Sequence, residues 1–183
     1  MIVKTQAIVL RNINYSETSV ICKMYTRELG IRSYMINGVR KAKAKVSMAM
    51  LQPLSILELE TYEKPNAGIQ RIKELKNSPL LVQIGQDFRK RSVALFLVEL
   101  LNACLLAEDG DPPLFDFLHR QVLLLETGQE VSNFSLLFMV QLAEQLVAEG
   151  QRDVEILRAR MQVLFEEAGI DQDDYITIVD PET

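Results

Sequence analysis

Residues 19–45 read SVICKMYTRELGIRSYMINGVRKAKAK. At the strand period of two, Lys23, Tyr25 and Arg27 share one face. A short turn at Glu28-Leu29-Gly30 follows, and a second strand then sets Arg32 and Tyr34 on one face. Arg40, Lys41, Lys43 and Lys45 close the stretch, four cations within six residues, and Glu28 is the only acid from Lys23 to Lys45. Cations neutralise phosphates, and aromatic rings offer platforms on which bases stack. The pattern therefore predicts a nucleic-acid-binding hairpin and loop with Lys23, Tyr25, Arg27, Arg32, Tyr34, Arg40, Lys41, Lys43 and Lys45 in contact with the ligand. Two bland readings compete. Strand exteriors need charge for solubility, and Tyr15, Tyr25 and Tyr34 could each turn the ring into a core.

Outward from the hairpin, residues 2–10 (IVKTQAIVL) are β-branched and apolar and read as a first strand. Asn12 to Glu17 is turn chemistry. Gly38 ends the third strand, and residues 51–62 (LQPLSILELETY) alternate as a fourth, with Pro53 suited to its start. After a turn at Lys64-Pro65-Asn66-Ala67-Gly68, residues 69–75 fit a fifth strand or a short helix. Five short strands joined by tight turns predict a small Greek-key barrel, the OB-fold, whose second and third strands with adjoining loops form the usual ligand face.

Beyond Asn77-Ser78-Pro79 the period changes to that of helices. Helices are expected over residues 87–107, 114–126, about 134–149 (capped by Ser132-Asn133) and 152–168, giving a helical bundle. The fold class is therefore α+β in two parts, an OB-fold barrel over residues 1–77 and an all-α domain over 78–170, with an acidic tail at 171–183. Arg89-Lys90-Arg91 is a basic cluster at the start of the long helix, where it opposes the helix dipole. It fits either an acidic partner or a plain surface turn. His119, the only histidine, reads as structural, and Glu108-Asp109-Gly110-Asp111 as a helix-ending loop without the remaining ligands of a calcium site.

A chain of 183 residues with 25% charged residues is that of an ordinary globular protein, and its net charge of −5 hides an asymmetry. Residues 1–76 carry 13 Lys and Arg against 6 Asp and Glu, a net of +7, and residues 77–183 carry 7 against 19, a net of −12. Such a split suits two modules with different partners. No apolar run is long enough to span a bilayer, and MIVKTQAIVL does not read as a signal peptide. Cys22 and Cys104 are expected as reduced core residues, which fits a cytoplasmic protein. Phosphate-binding, dinucleotide and nucleophile motifs are absent from the sequence, so no enzyme, cofactor or metal is expected.

The runs MIVKTQAIVLRNINYSETSVICKMYTRELGIRSYMINGVRKAKAK, LQPLSILELE and QRIKE closely resemble the N-terminal domain of RecO, the family of bacterial recombination mediators, in its Bacteroidetes-type branch. RSVALFLVELL and PPLFDFLHRQVLLLE look like the first helices of the RecO C-terminal domain, and the likeness runs from residue 1 to about 145. It implies an OB-fold followed by a helical domain, and binding of single- and double-stranded DNA. It also implies strand annealing, help in loading the recombinase, and as partners RecR and the C-terminal tail of single-strand-binding protein, in the nucleoid-associated cytoplasm. Two departures stand out. Many members carry a four-cysteine zinc cluster, and this sequence has only two cysteines. The chain is also shorter than a usual member, and its acidic end after Gly150 does not match. A rival reading is an OB-fold adaptor that binds an acidic protein partner and no nucleic acid.

Overall fold

The computed structural model describes residues 1–41, 44–65, 67–105, 109–129 and 131–148. The alternating apolar stretches form five strands: β1 (Ile2–Asn14), β2 (Val20–Thr26), β3 (Gly30–Ile36), β4 (Ile56–Tyr62) and β5 (Gln70–Asn77). They close into a barrel in the order β1-β2-β3-β5-β4, antiparallel throughout except for β3 with β5. Four helices follow among the described residues: α1 (Gln83–Gln86), α2 (Phe88–Cys104), α3 (Pro112–Thr127) and α4 (Phe134–Ala148). The α+β architecture of an OB-fold barrel followed by helices is thus borne out. The expected helix at 152–168 and the acidic tail lie outside the described residues.

Three local expectations need correction. β1 runs past Leu10 to Asn14, because a bulge between Val9 and Arg11 keeps it paired with β2. Residues 51–54 are not strand. Leu51 ends a 3-10 turn (Met48–Leu51), and Leu54 sits in a bend at φ 65° before β4 begins. That left-handed backbone costs a non-glycine residue about 1–2 kcal/mol. Full burial of the Leu54 side chain and its N–H bond to Val9 O (2.9 Å) offset it. α1, at four residues, is too short to leave a helical period in the sequence. Residues 69–75, ambiguous by period, fall mostly within β5.

The strands serve two cores. Ala7, Val9, Cys22, Met24, Tyr34 and Leu57 fill the barrel. Their neighbours Ile8, Leu10, Tyr25, Leu54 and Ile56 point outward, yet are buried against Leu97, Leu101, Phe115, Leu118 and Phe138 of the helices. Helix starts are fixed by side-chain caps. Asp87 accepts from the N–H groups of Arg89 and Lys90 at the head of α2, and Asp111 from Leu114 N–H at the head of α3. Between α2 and α3 the chain presses on the β2–β3 turn at Gly110. A Cβ there would lie inside van der Waals contact of the Glu28 carbonyl and 2.8 Å from Arg27 O. Gly110→Ala is therefore expected to destabilise the protein by about 1–3 kcal/mol, read as a lower urea midpoint. Gly68→Ala, where a Cβ meets nothing within 4 Å, should shift it by under about 0.5 kcal/mol.

Candidate nucleic-acid interface

The β2–β3 turn pairs Thr26 with Gly30, so Lys23 stands opposite Ser33, Tyr25 opposite Ile31, Met24 opposite Arg32 and Cys22 opposite Tyr34. Opposed residues share a face. Lys23 and Tyr25 accordingly lie on the outer face, Arg32 and Tyr34 on the inner one, and the expected basic-aromatic surface is split in two. Tyr25 has no exposed area and packs its ring 6.1 Å from that of Phe115. Tyr34 has none either. It lies in the barrel, its hydroxyl donates to Glu63 Oε1 (3.3 Å), and burial followed by the Glu63 charge pushes its pKa up. Burial withdraws both rings from stacking on bases, which corrects their assignment as ligand contacts.

Two hairpin cations are also engaged internally. Arg27 donates from Nε and Nη2 to the two carboxylate oxygens of Asp116 on α3, at 2.9 Å each, and Nη1 lies 3.4 Å from Glu28 Oε1. The hydrogen bond to Asp116 leads the causes that raise the Arg27 pKa and lower that of Asp116. This fork ties barrel to helices. Arg32 lies 3.9 Å from Glu63 and donates to Ile31 O.

The basic loop behaves differently. Arg40 donates to Asn14 Oδ1 and Glu17 O, and Val39 N–H to Thr18 O (2.9 Å), fastening the loop to the β1–β2 turn. Gly38 takes the φ of 73° that this path requires. Lys41 and Lys45 project into solvent, and Lys43 lies outside the described residues. Beside the loop a groove of about 280 Å³ runs between the end of β3 and β5, lined by Met35, Asn37, Lys45, Arg71 and Lys73. Lys73 is held by Glu60 at 2.7 Å. Lys41, Lys45 and Arg71 have no carboxylate within 4 Å among the described residues. A wider cleft of about 770 Å³ lies between β3 and the β4–β5 loop, with Arg32, Ser33 and Lys64 on its walls. Cations on the loops of an OB barrel, beside two clefts, can seat a phosphate backbone.

Comparison with known proteins agrees with this order of a barrel followed by helices. The family described as "Recombination protein O N terminal" matches residues 1–78, and "Recombination protein O C terminal" matches 85–155. The chain belongs to the RecO family. It is 37% identical over 147 residues to the DNA repair protein RecO of Bacteroides fragilis, covering 80% of this chain and 61% of that one. Similarity to that of Flavobacterium johnsoniae is 33% over 147 residues (80% and 62%), and to that of Salinibacter ruber 33% over 146 (79% and 56%). The chain spans about three fifths of the length of the curated relatives it matches. The C-terminal match reaches past residue 145, where the likeness fades to the eye.

A four-cysteine zinc cluster does not fit this RecO-family chain. Cys22 and Cys104 are both buried, one in the barrel and one in the cluster under the helices, and burial pushes the Cys22 thiol up to about 12. One exposed cation escaped the sequence reading. The bulge in β1 sets Arg11 directly opposite Lys23, a register that no local pattern shows. Tyr15, in the β1–β2 turn, is 64% exposed and, of Tyr15, Tyr25 and Tyr34, is the ring that remains open.

Arg89-Lys90-Arg91 needs correction as a partner site. Lys90 is buried and its Nζ donates to Glu126 O (2.5 Å), while Arg91 donates to Gly85 O (2.6 Å). Arg89 and Arg91 stay exposed, Arg89 lying 3.9 Å from Asp87. The Glu126 carboxylate accepts the N–H groups of Val82, Gln83 and Ile84 at 2.7–2.9 Å, so the cluster joins α1 and α2 to the end of α3. Burial alone would raise the Glu126 pKa. The three N–H donors and Lys90 outweigh it and hold the carboxyl below its usual range. A depressed carboxyl pKa contributes stability above the unfolded value of about 4.3, lost as pH falls through the folded one. Glu126→Ala should lower stability by about 2 kcal/mol at pH 7. The gap between variant and parent should narrow below about pH 4, as urea titrations across that range would show.

Proposed function

We propose that this chain is a non-catalytic DNA-binding protein of recombinational DNA repair. Three exposed cations, Lys41, Lys45 and Arg71, have no carboxylate partner among the described residues, and Lys45 and Arg71 line one groove on an OB barrel; this observation carries the reading. In this reading phosphates rest on the basic loop and groove while bases stay free to pair, so annealing of complementary strands needs charge neutralisation and no bond chemistry. Kinship with proteins named DNA repair protein RecO supports the role in repair. By the same kinship the partners are RecR, the recombinase-loading machinery and the tail of single-strand-binding protein, in the nucleoid-associated cytoplasm. No helix among the described residues is long and apolar enough to cross a membrane.

Changing Lys41, Lys43, Lys45 and Arg71 together to Ala tests the reading, and leaves the loop anchor Arg40 in place. Fluorescence titrations at two salt concentrations should show affinity reduced at least about tenfold. The slope of log K against log salt should shrink by about 0.7 per lost contact on single strands and about 0.9 on duplex. Unchanged affinity and slope would remove the loop from the site. Parent protein that binds an acidic protein surface and no oligonucleotide would replace the reading with that of an adaptor.

A further inference from the structure

β5 is held in the barrel mainly along one edge. β4 pairs with it from Arg71 to Asn77, whereas β3 meets it only at Tyr34–Gln70 and Met35–Arg71. Beyond Arg71, no strand among the described residues pairs with the other edge of β5. An unpaired edge is a template for a further strand. This one borders the groove of about 280 Å³ between the end of β3 and β5. Val46, Ile72 and Leu75 give the groove half-buried apolar walls, and Lys45 and Arg71 add exposed charge. A backbone edge, apolar walls and cations together suit an extended acidic segment with apolar side chains.

The chain itself carries a segment of this chemistry. Residues 171–180 read DQDDYITIVD, with four Asp and no cation. The run from Tyr175 to Val179 is entirely β-branched or aromatic, the composition that favours strands. Residues 149–174 lie between the end of α4 at Ala148 and this run. They can extend up to roughly 85 Å, and a folded body of this size is about 40 Å across. The groove is within reach. A tethered segment acts at an effective concentration of about 1 mM, so an intrinsic affinity of only about 0.1 mM fills about nine tenths of the grooves.

We propose that residues 171–180 of this chain dock along the free edge of β5 as an added strand, their acids matched by Lys45 and Arg71. The consequence for binding rests on the reading that this groove seats a nucleic acid. The docked segment then keeps the groove closed until a stronger polyanion displaces it. With about a tenth of the grooves open, apparent affinity is about tenfold weaker than that of the open site.

Hydrogen exchange of the full chain, read by mass spectrometry, tests the docking without nucleic acid. Ile176→Pro with Ile178→Pro breaks strand pairing and leaves the charge unchanged. In that variant, residues 72–76 should exchange about tenfold faster than in the parent, at rates independent of protein concentration. Residues 175–179 should be protected in the parent and lose protection in Lys45→Gln with Arg71→Gln. Fluorescence anisotropy with an oligo-dT strand of about 20 nucleotides should show the double-proline variant binding about tenfold more tightly. Equal exchange in parent and double-proline variant overturns the docking, whatever the affinities. Protection that grows with protein concentration also overturns it, because the segment of a second copy then fills the groove. If exchange changes as expected and neither protein binds the oligonucleotide, the docking stands and the nucleic-acid reading falls. If parent and double-proline variant bind it equally while the basic-loop variant does not, that reading stands and the closure is overturned.

Discussion

The structure depends on the burial of the barrel's outer face beneath the helices. Ile8, Leu10, Tyr25, Leu54 and Ile56 leave the barrel and enter one apolar cluster with α2, α3 and α4. A strand buried on both sides must be apolar at consecutive positions, and residues 7–10 of β1 (AIVL) are. Each large side chain so buried contributes about 1.5–3 kcal/mol. The Arg27–Asp116 pair at the rim of this contact is largely in water, where ion pairs add little to stability. Its bidentate geometry fixes how α3 sits on the hairpin, and Gly110 lets the chain between α2 and α3 approach the backbone of the same turn. Apolar burial supplies the energy of the junction, and the polar contacts set its orientation.

That junction limits which part of the barrel's outer face is open to a ligand. In an OB barrel left bare, the whole outer face of β2 and β3 would be open; here the end carrying Tyr25 and Ile31 is occupied. What stays free lies toward Lys23, Met35 and the basic loop. The charges on β4 and β5 narrow the surface further. Glu60 accepts from both Lys73 and Lys4, which bring its carboxyl down to about 2, and Glu58 is paired with Lys76 at 2.7 Å. These lysines belong to the net charge of the first half without contributing to an open cationic surface. The effective positive field therefore follows the loop and the groove beside Arg71.

Much of the fold was legible because its signals are local. Glycine at Gly30 and Gly38, alternation in the strands and the change to a helical period after Pro79 each act within a few residues. The direction of individual side chains was not legible. A period of two separates one face of a strand from the other, and gives no label for the core when both faces are buried. Tyr25 and Tyr34 lie on opposite faces and are equally inaccessible. The partners that remove cations from the surface are remote in sequence. Arg27 finds Asp116 at a separation of 89 residues, and Lys90 finds the Glu126 carbonyl at 36. A cation is free only after such partners have been assigned, so counting charge along the chain over-predicted the hairpin and missed Arg11.

The opposite charges of the two halves acquire a directional meaning once the junction is rigid. Residues 77–183 carry the net −12, and Glu99, Asp109, Asp116 and Glu144 lie on the helical surface, intermediate or exposed. Beyond the screening length of about 8–10 Å a polyanion feels the acids exposed on the helices and the cations of the loop separately. The apolar cluster shared by the outer face of the barrel and the helices prevents the described parts from turning so that their charges cancel. In the proposed reading a polyanion is thereby steered to the side of the barrel where Lys41, Lys45 and Arg71 stand, so a net charge of −5 does not argue against a cationic surface there.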